Sequence, residues 1–339
     1  MRVLHLDAGK TMRGGQWQAL RLIEGLQRPR NLMQDSDLHV TPVEWASRPA
    51  MPAFLPASLG SSTLSSSPER IESTLLSPAG SPLASAALQS GIRVEPIGFA
   101  RAAILARRHD LIHAHDSRSH TIAALAGGAP LVVSRRVAFG GAGTALARWK
   151  YGRAARYIAV SEFVKRILME RGVPIEKIVV VHDGVPLLES ACQTPTCALA
   201  PANAADPRKG AALALEGARR AGIELRLSDN LERDLPNASL FLYITYSEGL
   251  GSGVLLAMSA GVPVVASNVG GLPEIVRHGE NGLLVENEPE AIAAAVRTLI
   301  EDPGLARSLG RAGRRTVAER FTVERMVRGA IGVYRQVLS

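Results

Sequence analysis

The segment Tyr246-Ser-Glu-Gly-Leu-Gly-Ser-Gly-Val-Leu-Leu-Ala-Met-Ser-Ala-Gly-Val-Pro-Val-Val-Ala-Ser-Asn-Val-Gly-Gly-Leu-Pro-Glu274 concentrates residues able to do chemistry. A carboxylate, Glu248, stands among Gly249, Leu250, Gly251 and Ser252. A short apolar helix and a buried strand follow, and a second loop, Gly270-Gly271-Leu272-Pro273, ends at Glu274. Two polar loops thereby land on the same edge of a parallel sheet, where open α/β folds bind their ligands. Glycines at 249, 251 and 253 let backbone N–H groups approach a ligand closely, and the helix they open presents its positive end. That arrangement suits an anion such as a diphosphate.

Other loops must face that edge. A strand over residues 3 to 6 leads through Gly9-Lys-Thr-Met-Arg-Gly-Gly15 into a helix over 16 to 26, with Trp17, Leu20 and Ile23 at helical spacing. This is not a phosphate-binding P-loop, because the upstream glycine required before Gly9-Lys10-Thr11 is missing. Residues 110 to 116 predict a short strand ending in His113, His115 and Asp116. Two histidines two apart on a strand share a face, but no third ligand stands at metal-site spacing, and packed core histidines are the competing reading. A strand over 130 to 134 runs into Arg135 and Arg136. Arginine stays protonated and cannot serve as a base, yet it can bind phosphate or an anionic acceptor bidentately.

Further strands are predicted over 157–160, 177–181, 196–200, 223–227, 239–244 and 282–285. Helices are predicted over 81–90, 118–127, 145–156, from 161, and over 211–221, 289–301, 303–319 and from about 322. Such alternation implies right-handed crossovers and parallel sheets. Residues 29–73 break the rhythm with six prolines and a serine-rich run, predicting an irregular insertion. Asp35-Ser-Asp37 within it precedes no strand that would place it as a metal motif.

A length of 339 residues suits two domains of roughly 150 residues each. With 46% hydrophobic and 21% charged residues the chain is globular. It has no apolar run of the roughly 18 residues a spanning helix needs. The first residues read as a buried strand rather than a signal peptide, so the expected location is cytoplasmic. Cys192 and Cys197 read as isolated buried thiols rather than a metal pair. The net charge of +8 calls for an anionic partner, while 4% aromatics and no recognition motif argue against nucleic acid. Residues 147 to 157 mix four cations with three aromatics. They predict either a surface for anionic membrane or an ordinary amphipathic helix with snorkelling arginines.

On these residues, above all 243 to 285, the chain resembles the retaining glycosyltransferases of family 4, whose two Rossmann-like α/β domains face a central cleft in the GT-B arrangement. The resemblance covers residues 1–26 and 74–339. It implies an N-terminal domain over 1–187 for the acceptor, a C-terminal domain over 188–320 for the nucleotide sugar, and a terminal helix over 321–339 crossing back onto the first. The second domain is expected to be compact, lacking one β-α unit between 227 and 239. Lys209 matches the family's diphosphate-clamping lysine, with Arg208 beside it, but the arginine expected five residues earlier is Ala204. Glu248 matches the first glutamate of a Glu-x7-Glu pattern that contacts donor hydroxyls, and the second falls on Leu256. Gly14 and Gly15 match a Gly-Gly loop facing the donor, while Gly249, Leu250, Gly251, Ser252 and Glu274 match the donor loops.

The implied catalytic set is Glu248, Lys209 and Arg136, with His115 and Arg135 on the acceptor side. No metal and no cofactor is expected beyond the nucleotide-sugar donor. The implied acceptor is a cell-surface glycan or lipid-linked precursor, such as one for lipopolysaccharide, reached with peripheral membrane contact. Ala204 and Leu256 leave open a non-catalytic scaffold that binds a nucleotide sugar or a partner, and a nucleotide-sugar epimerase shares the fold. A glycoside hydrolase is disfavoured, because it needs two opposed carboxylates.

Overall fold

Short apolar runs alternate with helices along the chain, and a computed structural model shows how they assemble for residues 1–27, 71–137, 144–189, 197–202, 206 and 209–339. The first half forms β1 (Arg2–Leu6), α1 (Gly14–Gln27), β2 (Glu72–Ser77), α2 (Pro82–Gln89), β3 (Arg93–Pro96), α3 (Phe99–Ala106) and β4 (Leu111–Ala114). It continues with α4 (Ser117–Ala126), β5 (Leu131–Arg135), α5 (Ala145–Gly152), β6 (Arg156–Ala159), α6 (Glu162–Glu170) and β7 (Ile178–Val180). These seven strands make one parallel sheet in the order β3-β2-β1-β4-β5-β6-β7. All four residues of β4 and all five of β5 are buried, as expected for parallel strands covered by helices on both faces.

The second half forms β8 (Cys197–Pro201), α7 (Ala211–Arg220), β9 (Leu225–Ser228), α8 (Leu231–Asp234), β10 (Ala238–Tyr243), α9 (Ser252–Ser259), β11 (Val264–Ser267) and β12 (Leu283–Val285). Its sheet is parallel with the order β12-β11-β10-β8-β9. Three helices close the chain: α10 (Pro289–Glu301), α11 (Pro303–Arg320) and α12 (Val323–Leu338). In each sheet the strand order reverses beside the first strand, between β1 and β4 and between β8 and β10. A crevice opens at the carboxyl ends of strands flanking such a switch point.

Helix α12 returns to the first sheet. Val185 N donates to the Phe321 carbonyl at 2.9 Å, and the fully buried Tyr334 places its hydroxyl 2.7 Å from His113 Nδ1. Gly25 on α1 leaves the space that the Val327 side chain fills.

Helix α5 ends at Gly152 rather than at residue 156, and two further segments depart from the sequence-based expectation, whereas the short path between β9 and β10 matches it. The irregular stretch was expected to run to residue 73, but Glu72 and Ser73 already pair with Arg2 and Val3 in register. Residues 28–70 lie outside the described residues, with Asp35 and Asp37. Helix α3 was not foreseen: Gly98 at its N-cap makes no side-chain cap, so the usual polar start signal is absent. Between β9 and β10, residues 229–237 carry only the single turn α8 and a 3-10 turn, Leu235–Asn237, with no strand. The second sheet is therefore five-stranded, with β9 at its edge. Cys197 is half-buried on β8. Among the described residues, no helix is long and apolar enough to cross a membrane.

The docking of α12 generates a graded expectation. Tyr334→Ala should cost about 3–5 kcal/mol through the cavity it leaves, whereas Tyr334→Phe should cost about 1 kcal/mol for the bond to His113. Denaturant unfolding of both variants measures the difference.

Candidate active site between the two sheets

The loop after β8 carries Lys209 and the loop after β10 carries Glu248, so neighbouring strands at the switch point bring them together. Lys209 Nζ donates to Glu248 Oε2 at 2.7 Å. Tyr243, the last residue of β10, donates its hydroxyl to the same oxygen at 2.6 Å. The other oxygen, Oε1, accepts from Gly249 N at 3.0 Å. The ammonium also lies 5.7 Å from the centroid of the Tyr243 ring. Burial first, and then the nearby Glu248 carboxylate, push the Tyr243 pKa well above its usual value, so this phenol remains a neutral donor.

Helix starts gather around this pair. Gly210 caps α7 in the left-handed region (φ +49°) and Gly251 caps α9 there (φ +104°). Neither supplies a side-chain cap, so the first N–H groups of both helices are left for other acceptors. The start of α1 meets the start of α9: a Cβ on Gly14 would stand 2.9 Å from Ser252 Oγ, and one on Gly15 would touch Arg136 Cδ at 3.8 Å. Each helix terminus contributes roughly half a positive charge, while the charge of Lys209 is balanced by Glu248.

Gly249 is wedged against the first domain. A Cβ there would overlap the Arg136 carbonyl oxygen, and its own carbonyl accepts from Ser161 Oγ at 2.6 Å. Beneath it, Gly271 N donates to the Glu248 carbonyl at 3.1 Å. Side chains at Gly270 or Gly271 would strike the backbone of Glu248 or Gly249. The Gly-Gly of the second loop is thus a seat for the first loop.

Arg136, expected to bind phosphate or acceptor, is engaged inside the first domain. Its Nε donates to Asp183 Oδ1 at 3.1 Å, with both side chains about a tenth exposed, and Nη1 lies 3.5 Å from His115 Nδ1. Burial raises the Asp183 pKa more than Arg136 lowers it. Arg135 does not join Arg136 in the cleft. Successive strand residues point to opposite faces, and Arg135 is buried with its guanidinium 5.9 Å from the Tyr151 ring centroid.

His115 belongs to a core network rather than an exposed acceptor wall. Its Nε2 shares a proton with His5 Nδ1 at 3.0 Å, while His113 bonds Tyr334 and, through Nε2, Ser134 Oγ at 2.8 Å. Burial pushes His5 down to about 3 and holds His113 and His115 well below the usual imidazole value, with neighbouring histidines and Arg136 adding to the effect on the last two. One nitrogen of each ring comes within 4.8 Å of the others, a spacing a metal could use. Five of the six nitrogens already have a polar neighbour, however, and only His5 Nε2 is buried without one. The group is a neutral polar core.

Glu274, expected at the donor, is turned to the other domain. Its two oxygens accept from Glu162 N and Phe163 N, each at 2.8 Å, while Ser161 Oγ accepts from Val164 N at 3.1 Å. The first three N–H groups of α6 are therefore all satisfied, two of them by a carboxylate from across the cleft. Burial raises the Glu274 pKa, but His182 and the two N–H donors together outweigh it and hold the carboxyl below its usual range. His182 Nε2 is 3.9 Å away, beyond hydrogen-bond reach. A second bridge, between buried Arg21 of α1 and Glu232 of α8, spans the two halves.

Lys209 and Glu248 are thus brought into contact, with Gly14, Gly249, Leu250, Gly251 and Ser252 around them. Arg208 and Ala204 lie outside the described residues. Sequence reasoning missed Tyr243, Asp183 and His5, and it read Ser161 as the cap of α6 without its bond to Gly249. The apolar run before Tyr243 disguised it as core, and the polar end His182-Asp183 was the available signal for Asp183.

Two parallel α/β sheets meeting at a cleft lined by helix starts define a two-domain protein of the GT-B class. The solved structure of HepE from Anabaena in complex with UDP-glucose superposes with a TM-score of 0.78 over 99% of this chain and 100% of that one, at 17% identity. A glycosyltransferase from Rickettsia africae gives 0.74 over 100% and 98%, at 16% identity. Residues 66–187 match the family model Glycosyltransferase Family 4, and residues 205–316 match Glycosyl transferases group 1. Those two models cover more than half of the chain between them, and it belongs to the group 1 glycosyltransferases of family 4. Among curated relatives, N-acetyl-alpha-D-glucosaminyl L-malate synthase of Bacillus anthracis is 34% identical over 32% of this chain and 29% of its own length. D-inositol 3-phosphate glycosyltransferase of Acidothermus cellulolyticus is 42% identical over 30% and 22%. The chain thus spans less than a third of the length of these relatives.

The Glu274 bridge makes a stability expectation with a defined pH window. Glu274→Ala should destabilise the protein by about 2 kcal/mol, the scale of hydrogen bonds to a charged group. A carboxylate whose folded pKa lies below its free value of about 4.3 stabilises fully above that value. The contribution is lost as pH falls through the lower, folded pKa. Thermal melts of wild type and variant should therefore differ at pH 7 and converge in strong acid.

Proposed function

We propose that this protein is a retaining, metal-independent glycosyltransferase that moves a sugar from a nucleotide-sugar donor to a cell-surface glycan or lipid-linked precursor. The observation that carries this reading is the Lys209–Glu248 pair at the switch point, set among helix starts that carry no side-chain cap. Negative charge accumulates on the departing diphosphate, and preorganised positive groups act most strongly where charge develops. Lys209 and the N-termini of α7 and α9 supply that charge. Glu248 accepts hydrogen bonds from sugar hydroxyls and fixes the orientation of the ring.

The acceptor hydroxyl oxygen bonds to the anomeric carbon on the face the diphosphate leaves, as the carbon–diphosphate bond breaks. Its proton passes to the leaving diphosphate oxygen, so no protein base is required. That HepE was crystallised with UDP-glucose supports a uridine donor as the first to try. The inositol 3-phosphate enzyme among the relatives fits an anionic acceptor. For a lipid-linked acceptor, the exposed Leu146 and Trp149 on α5, beside Arg148, favour peripheral contact with anionic membrane.

Leu256 favours a second reading, a scaffold that has given up catalysis. It is buried on α9 where the family pattern has a glutamate, so other groups must read the ribose. Calorimetric titration with UDP, GDP, ADP and UDP-glucose, followed by a turnover assay with the sugar conjugate of whichever nucleotide binds, decides between the two. Micromolar binding with turnover supports the transferase, binding without turnover supports the scaffold, and Lys209→Ala should weaken the binding at least about tenfold, the value of one hydrogen bond to a charged group. No binding to any of them favours the scaffold.

A further inference from the structure

Glu248 has a second anchor whose purpose becomes clear when the donor arrives. In the structure both Lys209 Nζ and the Tyr243 hydroxyl donate to Glu248 Oε2, at 2.7 and 2.6 Å. A diphosphate entering among the starts of α7 and α9 competes for the Lys209 ammonium. Once the ammonium turns to phosphate, Glu248 loses its ion-pair partner and faces added negative charge. A free carboxylate would swing away from it. What remains is Gly249 N on Oε1, at 3.0 Å, and Tyr243 on Oε2.

The Tyr243 ring is placed to hold that position. It ends β10 and is almost wholly buried. It also slides beneath the first turn of α9, where a Cβ on Gly253 would come within 3.1 Å of its Cε2. The ring therefore cannot follow Lys209 outward, and its hydroxyl stays with Glu248.

We propose that Tyr243 is a positioning residue: it keeps Glu248 in the sugar-orienting conformation after Lys209 has been taken over by the donor diphosphate. This rests on the transferase reading above. Tyr243 acts through Glu248 and touches neither substrate nor reacting atoms. Its contribution falls on turnover and not on nucleotide affinity, because Lys209 and the helix starts remain.

The test is a double-mutant cycle with Tyr243→Phe and Glu248→Ala. Transfer of glucose from UDP-glucose to water is followed under steady-state conditions, or the nucleotide sugar selected by the titration replaces it. Tyr243→Phe should lower kcat by about tenfold to a hundredfold, the value of a hydrogen bond to a charged group. UDP affinity and KM should stay within about threefold, which also reports that the variant is folded. In the Glu248→Ala background the same change should cost nothing further, since the two residues act as a unit. Unchanged kcat in Tyr243→Phe, an equal loss in the Glu248→Ala background, or a fall in UDP affinity matching the fall in kcat would each overturn the inference. Absence of turnover by the wild-type protein with every donor removes the transferase reading, and the inference with it. Wild-type turnover that ignores Tyr243→Phe removes the inference alone.

Discussion

Backbone meets backbone at Gly249, and the rest of the site leans on that approach. Its Cα lies against the Arg136 carbonyl on one side. Its carbonyl takes the Ser161 hydroxyl, and Gly271 supports it from below. No side chain fits in any of these layers. Because Glu248 precedes this wedge, its carboxylate is delivered by packed main chain rather than by a mobile loop. A site whose backbone is seated this closely loses little entropy when a ligand arrives. It also ties the geometry of Glu248 to the contact between the two domains, since half of the seat belongs to the first.

The two domains divide the electrostatic work unequally. In the second, charge is left available: helix starts without side-chain caps and a lysine whose partner can be exchanged. In the first, polar groups are mostly satisfied among themselves. Arg136 is matched by Asp183, His5 bonds to His115, and His113 bonds to Ser134 and to Tyr334. Buried ion pairs stabilise little on balance but are costly to break. Arg136 is therefore a poor candidate for grasping phosphate unless Asp183 lets it go. Its carbonyl, pressed on Gly249, matters to the site as much as its guanidinium.

Much of the architecture was legible because parallel sheets write themselves in short apolar runs separated by capped helices. The compact second sheet could be read from the few residues between 227 and 239, too few for a strand and a helix. Helix α3 escaped because its start carries no polar cap, and the first two residues of β2 because Glu72 and Ser73 look like the tail of a serine-rich stretch. At the site, the glycine-rich loop singles out Glu248, and the family resemblance separately points to Lys209. That they bind each other depends on β8 and β10 lying side by side, a fact of sheet order that no local pattern encodes. Glu274 shows the same limit: its carboxylate is recognisable, but the helix it caps lies 112 residues away in the chain.

The short path between β9 and β10 has a consequence for how such a fold can shrink. A sheet that binds at its switch point keeps its working strands in the middle and its dispensable ones at the rim. Omitting a unit beside β9 leaves β8 and β10 adjacent and the Lys209 and Glu248 loops in register. The omission does create a new border. There Glu224 and Arg226 are exposed, and Arg226 reaches the largely buried Asp234 at 3.2 Å. Charged residues along a rim strand deter a second chain from extending the sheet. A short path at the rim thus keeps the Lys209 and Glu248 loops together and guards against unwanted assembly in the same few residues.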